Sequence, residues 1–234
     1  MDSVRTRQPR AVRENDILTA AYSIFSARGY EKTAVSEIAK LAGVAEGTVY
    51  KYFESKQDLL AQVIARFYKK LIESTQTSLI GITGLENQLR VVISRHIDGF
   101  FEDIGLYRLL LQEVRPLDSY PHSEMHQLTR QYSEILLTVL EEGIVQGEIK
   151  PGISPQTIRD MIFGCLEHTG WNVLALNKAK FDRERLVNEV ISITLGGVLA
   201  PTKSYALDAD KQSSLDRNLE RLERLVNTLE RNNT

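Results

Sequence analysis

Residues 46–52 hold the side chains of this sequence that are best suited to contact a nucleic acid. They bring together hydroxyl groups, an ammonium group and a glycine: Gly47, Thr48, Tyr50, Lys51 and Tyr52. Hydroxyls and lysine donate hydrogen bonds to phosphate oxygens and reach base edges, and a glycine lets a backbone approach closely. The segment therefore predicts a DNA-contacting surface, provided that one helix presents these groups together.

A second set of residues has a spacing that metal ligands can use. His122 and His126 lie four positions apart with Glu124 between them. A zinc peptidase helix needs its glutamate directly after the first histidine, and Pro121 puts His122 at or before a helix start. The sequence also lacks a glycine-rich phosphate loop and paired cysteines. We therefore expect no enzyme activity, no cofactor and no metal site.

Residues 35–53 supply the elements that would present the DNA-contacting groups. Before Gly43, apolar side chains recur at steps of three and four: Val35, Ile38, Ala39 and Ala42. This spacing puts them on one face of a short helix. Gly43 can adopt the left-handed backbone that ends the helix, and Val44 then turns toward the core. With Val49 and Phe53 facing inward on a second helix, the pattern predicts a helix-turn-helix; the alternative is an ordinary helical corner.

The segment GYEKTAVSEIAKLAGVAEGTVYKYFESKQDLL closely resembles the N-terminal DNA-binding domain of the TetR family of bacterial transcriptional regulators, and the resemblance extends over residues 13–60. It implies an all-α fold, with a three-helix helix-turn-helix domain followed by a larger helical domain for effector binding and dimerisation. It also implies a homodimeric repressor on a near-palindromic, double-stranded DNA operator. A small-molecule effector is expected to tilt the helix that follows the motif and so release the DNA.

The predicted DNA-contacting set joins positions implied by this resemblance with their outward-facing neighbours: Thr33, Ser36, Ala45, Gly47, Thr48, Tyr50, Lys51, Tyr52 and Lys56. Thr33 is also expected to cap the first helix of the motif. Many relatives have serine or threonine where this chain has Ala45, which cannot cap the second helix and so forgoes about 1 kcal/mol of stabilisation. Glu46 partly offsets this loss through the helix dipole, but it repels phosphate unless it is turned away.

The charges of the chain are balanced, with a formal net charge of −2 over 234 residues. The protein is therefore not a general polycation. Four arginines nevertheless lie near its start: Arg5, Arg7, Arg10 and Arg13. We interpret residues 1–12 as a flexible basic arm, which either lies near DNA phosphates or is a solvated tail.

The single cysteine, Cys165, lies in an apolar run and is expected in the core. It excludes an internal disulfide and favours a reducing compartment. No apolar run reaches the roughly eighteen residues that a membrane span needs. The arginine-rich start is not followed by an apolar stretch, so no signal peptide is expected. A cytoplasmic protein without a membrane partner is expected.

Apolar periodicity predicts the remaining helices. A helix over residues 13–27 and the motif complete a DNA-binding domain at residues 13–54. Ser55 and Asp58 form a capping-box-like start for a long helix that ends near residue 80. Further helices are predicted at residues 85–104, 107–114, 123–147, 155–177 and 181–199, which place the second domain at residues 55–200.

The last two of these helices are more apolar than one core face requires. In the resembled family, the corresponding pair forms a four-helix dimer interface with its symmetry mate, which implies a homodimer here. The alternative is a deeply buried hairpin in a monomer.

The sequence MIFGCLEHTGWNVLAL at residues 161–176 is similar to the regulators of fatty-acid degradation within the same family. This similarity implies a long-chain acyl-CoA as the effector; another metabolite or a multidrug-type ligand is the alternative. The predicted effector-contacting residues, each of which has an ordinary core role as its alternative, are Phe100, Phe101, Tyr107, Met125, Tyr132, Leu136, Ile162, His168 and Trp171.

Residues 201–234 read as a polar linker followed by an extra C-terminal helix. Leu215, Leu222 and Leu229 recur every seven residues, so the helix is amphipathic but too short for an independent coiled coil. It either braces the dimer or acts as a module that recruits a protein partner.

Overall fold

The computed structural model of the chain describes residues 9–176 and 181–199, and over these residues it is all-helical, as predicted. The predicted C-terminal helix and residues 1–8 of the predicted arm lie outside the described residues. The described helices belong to one compact unit. The predicted division at residue 55 stays a prediction.

Three helices form the N-terminal part: α1 is Arg10–Arg28, α2 is Val35–Leu41 and α3 is Glu46–Val49. Helix α1 begins three residues before the predicted start, because Pro9 acts as its N-cap and accepts the Arg13 amide. The last part of the predicted arm is therefore helical. Ile17, Ala21 and Phe25 are fully buried on its inner face.

Helix α4, Lys56–Leu79, connects the two halves of the protein and packs against α1, α5 and α7. Its predicted start is confirmed. The Asp58 amide donates to the Ser55 hydroxyl at 3.0 Å, and the Glu54 amide donates to the Asp58 carboxylate at 2.9 Å. This reciprocal pair satisfies amides that the first helical turn leaves free.

The remaining elements are α5 (Leu85–Glu102), α6 (Ile104–Leu109), a π-helical turn (Leu110–Val114), a short 3-10 helix (Tyr120–His122), α7 (Glu124–Val145), α8 (Pro155–Leu176) and α9 (Arg183–Val198). The predicted helix over residues 85–104 ends early. Asp103 has φ −144° and ψ 72°, and its carboxylate caps the next helix by accepting the Leu106 amide at 2.8 Å. A single polar residue therefore separates α5 from α6, and α6 begins three residues before the helix predicted at residues 107–114.

Helices α4, α5 and α7 form the centre of the larger half, with α9 packed on α5 and α8 on α7. The prediction for Cys165 is wrong: its side chain is exposed on α8. The apolar run around it belongs partly to the outer face of that helix. No helix in the described part of the chain is both long and apolar enough to cross a membrane.

Candidate DNA-binding and effector sites

The corner between α2 and α3 has the geometry that the sequence predicts. Gly43 has φ 66°, in the left-handed region. The Gly43 amide donates to the Lys40 carbonyl at 3.2 Å, and the Val44 amide donates to the Ala39 carbonyl at 2.9 Å. These bonds close the end of α2 and send the chain directly into α3.

Buried apolar side chains fix the orientation of the two helices. Five of the residues predicted to hold the corner are less than a tenth exposed, whereas Ala42 and Val44 are partly buried; the five are Val35, Ile38, Ala39, Val49 and Phe53. They join the core that α1 and α4 complete, and Val44 packs against its edge. The corner therefore shares one hydrophobic core with α1 and α4.

Helix α3 is a single turn, and its start is weak as predicted. Ala45 is the N-cap and makes no side-chain hydrogen bond. After Val49 the backbone continues in a turn with hydrogen bonds between residues three apart. The Lys51 amide donates to the Thr48 carbonyl, and the Tyr52 amide donates to the Val49 carbonyl. The recognition segment therefore depends on tertiary packing of Val49 and Phe53 rather than on its own helical length.

Most of the predicted DNA-contacting residues are open to solvent at this corner. Ser36, Ala45, Gly47, Tyr50 and Lys51 are exposed, and Thr48, Tyr52 and Lys56 are half-buried. Tyr50 keeps 49% of its surface exposed although it is a large ring. The hydroxyls and the lysine are thus at least partly open to solvent at the corner, and their contact with DNA stays a prediction.

Thr33 is placed differently from the rest of the set. Ala34, not Thr33, is the N-cap of α2, so the predicted capping role is wrong. Thr33 is 3% exposed and its hydroxyl donates to the Gly29 carbonyl at 2.7 Å. The Glu37 carboxylate accepts the Ala34 amide instead, and this bond, together with Arg28, lowers the pKa of Glu37. A phosphate contact by Thr33 stays a prediction.

Two cation–π contacts hold positively charged side chains at this corner: Lys56, which belongs to the predicted set, and Arg10, which does not. The Lys56 ammonium lies 4.2 Å from the centroid of the Tyr30 ring, and the Arg10 guanidinium lies 5.5 Å from that of Tyr52. Such contacts hold a cation near an aromatic face. The sequence pattern places Arg10 in the arm and carries no signal for its contact with Tyr52.

The predicted effector-contacting residues do not gather around one open cavity among the described residues. Five are closed in the core: Tyr107, Met125, Tyr132, Leu136 and Ile162. Phe101 stacks on Phe181 with centroids 4.6 Å apart. His168 and Trp171 are exposed on α8, and the Phe100 side chain lies outside what the structure describes. The core alternative therefore fits the five buried residues.

A cleft of about 640 Å³ lies elsewhere, between α1, α4 and α5. Its apolar wall consists of Leu18, Val63, Phe67 and Leu71. Its polar lining includes three cations and three acids: Arg66, Lys70, Arg95, Asp98, Glu102 and Asp103. None of these residues was predicted. The signal in the sequence is the pair Arg66 and Lys70, one turn apart and each followed directly by an apolar residue.

At one end of this cleft, hydrogen bonds connect α1 with Asp103, which lies between α5 and α6. The Ser26 hydroxyl on α1 donates to the Asp103 carboxylate at 3.1 Å. A hydrogen bond from the Tyr22 hydroxyl to the same carboxylate raises the pKa of Tyr22. A Cβ added to Gly105 would lie 2.9 Å from the Ser26 carbonyl oxygen, so the two helices approach closely here.

A group of buried rings lies between α4, α5, α7 and α8, and a partly exposed ion pair lies near it. The Tyr68 ring meets the Tyr132 ring edge-on at 6.1 Å, and His96 stacks on Tyr132 at 5.7 Å. Arg115 forms a two-pronged ion pair with Glu167, at 3.0 and 2.8 Å. Burial raises the pKa of both tyrosines and lowers the pKa of His96 to about 4, which leaves the imidazole neutral.

The outer sides of α8 and α9 expose apolar side chains and small residues. Met161 is 50% exposed, Trp171 43% and Ile193 71%. Gly164, Cys165, Gly196 and Gly197 are exposed on the same two helices.

No group of histidine, cysteine and acidic residues in the described part of the chain is arranged to hold a metal ion.

A helix-turn-helix corner with exposed hydroxyls and cations, carried on a larger helical body, is the architecture of a DNA-binding transcriptional regulator. Residues 17–63 match the family described as bacterial regulatory proteins, tetR family, and residues 65–197 match the C-terminal region of YsiA-like proteins. The chain belongs to the TetR family of bacterial transcriptional regulators.

Relatives place the chain near regulators of fatty-acid metabolism. It is 32% identical to the fatty acid metabolism regulator protein of Bacillus subtilis strain 168, over 78% of this chain and 93% of that protein. The crystal structure of the Bacillus subtilis regulator FadR in complex with stearoyl-CoA superposes with a TM-score of 0.70 at 32% identity, over 78% of this chain and 98% of that one. The repressor KstR2 of Mycolicibacterium smegmatis is 23% identical, over 80% of this chain and 91% of that protein.

Proposed function

We propose that the protein is a homodimeric repressor that binds a near-palindromic operator and leaves it when a long-chain acyl-CoA binds. The observation that carries the effector assignment is the likeness, in sequence and in fold, to the Bacillus subtilis regulator whose structure holds stearoyl-CoA. The regulator class itself follows from family membership.

Each protomer would set α3 in a major groove of the operator. Thr48, Tyr50 and Lys51 would contact phosphates and base edges, and Lys56 would add a phosphate contact at the start of α4. A two-fold dimer requires two half-sites about one helical turn apart, which is ~34–36 Å. The exposed apolar faces of α8 and α9 support a dimer of this kind.

The cleft between α1, α4 and α5 supports the acyl-CoA assignment by its chemistry. An acyl-CoA joins anionic phosphates to an apolar chain, so its site needs cations beside an apolar wall. Arg66, Lys70 and Arg95 are the cations, and Phe67 and Leu71 belong to the wall. Because α1 is part of the DNA-binding half, a ligand in this cleft would contact both halves at once and change their relative position.

The operator prediction is tested by selecting genomic fragments on the purified protein and aligning the recovered sequences. We expect a shared near-palindrome, bound by a Lys51→Ala variant with lower affinity and by a Lys150→Ala variant with unchanged affinity. Lys150 is a matched control because it lies in the connection after α7, far along the chain from the corner. Recovery of unrelated fragments, bound as tightly as random duplex, would contradict the proposal.

The effector is tested by mass spectrometry of the gently purified protein. A co-purified CoA thioester with a long acyl chain is the expected result. Recovery of a different apolar metabolite would replace the acyl-CoA assignment while leaving the regulator class intact.

A further inference from the structure

His96 is a polar side chain inside the helical body for which the described fold provides no partner. Both imidazole nitrogens are shielded from solvent, and neither has a hydrogen-bond partner among the described residues. The Phe163 ring lies 4.9 Å from the imidazole, and the Tyr132 ring covers it at 5.7 Å with planes 20° apart. The N–H and the lone pair of an imidazole lie in its ring plane, so a hydrogen-bond partner has to approach in that plane at one of the two nitrogens.

An unpartnered imidazole at this position carries an energetic cost. A buried donor or acceptor without a partner destabilises a protein, and native proteins keep such groups where water, an ion or a ligand completes them. A phenylalanine at this position could pack against Phe163 and Tyr132 without that cost. The neutral imidazole has one N–H donor and one acceptor nitrogen, so it can bind a polar ligand atom directionally.

The charges around His96 indicate what kind of atom it would bind. The charged groups whose fields reach it are Arg115 and Glu167. They neutralise each other through two hydrogen bonds, at 3.0 and 2.8 Å. A ligand carboxylate would need a cation that Arg115 no longer offers. An uncharged carbonyl oxygen needs only the N–H of the imidazole.

A continuous series of rings connects His96 with the effector cleft. Phe67 lines the cleft and meets Tyr68 edge-on at 5.9 Å. Tyr68 meets Tyr132 at 6.1 Å, and Tyr132 stacks on His96. On α5, Arg95 and Gly99 line the same cleft on either side of His96 in sequence. A chain that enters the cleft and displaces Phe67 would therefore move toward the imidazole.

We propose that His96 donates a hydrogen bond to the thioester carbonyl oxygen of the acyl-CoA effector and is the residue that distinguishes an acyl thioester from a ligand without this carbonyl. The inference rests on the proposed acyl-CoA response. It adds to that response the residue that recognises the thioester carbonyl of the effector. His96 acts here in specificity and in no chemical step.

The test uses the full-length protein on its operator and compares stearoyl-CoA with S-octadecyl-CoA, the thioether in which a CH₂ replaces the carbonyl. For the wild type, we expect the thioether to need about 10-fold to 100-fold more ligand for half-release, the effect of leaving a buried donor unpaired. In His96→Phe, the two ligands should act at the same concentration. His96→Gln keeps an N–H donor and should retain part of the difference.

The outcomes separate this inference from the proposed function. Equal potency of the two ligands on the wild type overturns the role of His96 while the acyl-CoA response stands. Absence of any release by stearoyl-CoA overturns the acyl-CoA response and, with it, this inference. Operator binding and thermal unfolding of the His96 variants check that they fold. A full wild-type difference that persists in a folded His96→Phe also overturns the role of His96, because another group would then donate to the carbonyl.

Discussion

At the scale of single residues, the recognition helix starts on a residue that cannot cap it. Ala45 has an extended backbone with φ −75° and ψ 149°, which suits an N-cap, but its methyl group accepts no hydrogen bond. The Thr48 amide is left to bond the Ala45 carbonyl at 2.8 Å. The first turn of α3 is therefore held by packing rather than by a side-chain cap.

Ala45→Ser should stabilise the protein, because the serine hydroxyl can accept an amide of the first turn. We expect the free energy of unfolding to rise by about 0.5–1 kcal/mol, measured by urea unfolding. Ala11→Ser is the matched control. Ala11 is exposed within α1, where serine has no cap to make, so no gain is expected. An equal effect of both changes would contradict the capping account.

His96 makes stability depend on pH in a defined direction. Burial lowers its pKa to about 4, from roughly 6.5 for an exposed histidine. Between these values the unfolded chain binds a proton that the folded chain refuses, so stability is lost as pH falls from about 6.5 to 4. Relative to His96→Phe, the wild type should lose up to about 3 kcal/mol over this interval. Parallel urea-unfolding profiles of the two proteins against pH would contradict this.

At the scale of elements, the break between α5 and α6 connects effector binding with DNA binding. Asp103 caps α6 through one carboxylate oxygen and accepts the Ser26 hydroxyl of α1 through the other. It also lines the proposed effector cleft. A ligand that shifts α5 would therefore shift α1 as well, through the hydrogen bond between Asp103 and Ser26.

Asp103→Asn should weaken this connection while keeping the cap, since an asparagine oxygen can still accept the Leu106 amide. We expect the ratio of operator Kd with and without stearoyl-CoA to fall about 3-fold to 30-fold, a coupling change of roughly 0.5–2 kcal/mol. Ser123→Ala removes the cap of α7, where the Ser123 hydroxyl accepts the His126 amide at 3.2 Å, and should lower stability without changing that ratio. An unchanged ratio in Asp103→Asn would show that α1 is coupled by another route.

Sequence alone predicts the helix-turn-helix but not the cleft between the helices. The helix-turn-helix was predictable because its signals are local: the spacing of Ile38 and Ala39, and the glycine at position 43. The cleft was not predictable, because Leu18, Phe67 and Gly99 come from three helices that meet only in the folded chain. Cys165 was misplaced since α8 has apolar residues on both its inner and its outer sides, so periodicity could not identify the exposed one.

At the scale of the whole molecule, a palindromic operator requires two copies of the corner at a fixed separation. The exposed apolar residues of α8 and α9 are the surface best suited to hold the copies together. The proposed mechanism therefore depends on this surface as much as on α3.

Ile193→Glu should separate the dimer, because it puts a charge on an apolar interface. Sedimentation is expected to show a monomer at concentrations where the wild type is a dimer, together with a loss of operator affinity of at least 10-fold. Val145→Glu is the matched control, because Val145 is 88% exposed but lies at the end of α7. If the Ile193→Glu variant remains a dimer, the interface does not include this part of α9 and the prediction is contradicted.

The central claim is that acyl-CoA binding and operator binding oppose each other, and a fluorescence-anisotropy titration of the labelled operator tests it most directly. The titration is run with the protein alone, with stearoyl-CoA, with CoA and with stearate. We predict that stearoyl-CoA raises the operator Kd by about 5-fold to 150-fold, as a coupling of 1–3 kcal/mol requires, and that CoA and stearate leave it unchanged. An operator Kd that stays the same when stearoyl-CoA is bound would contradict the account.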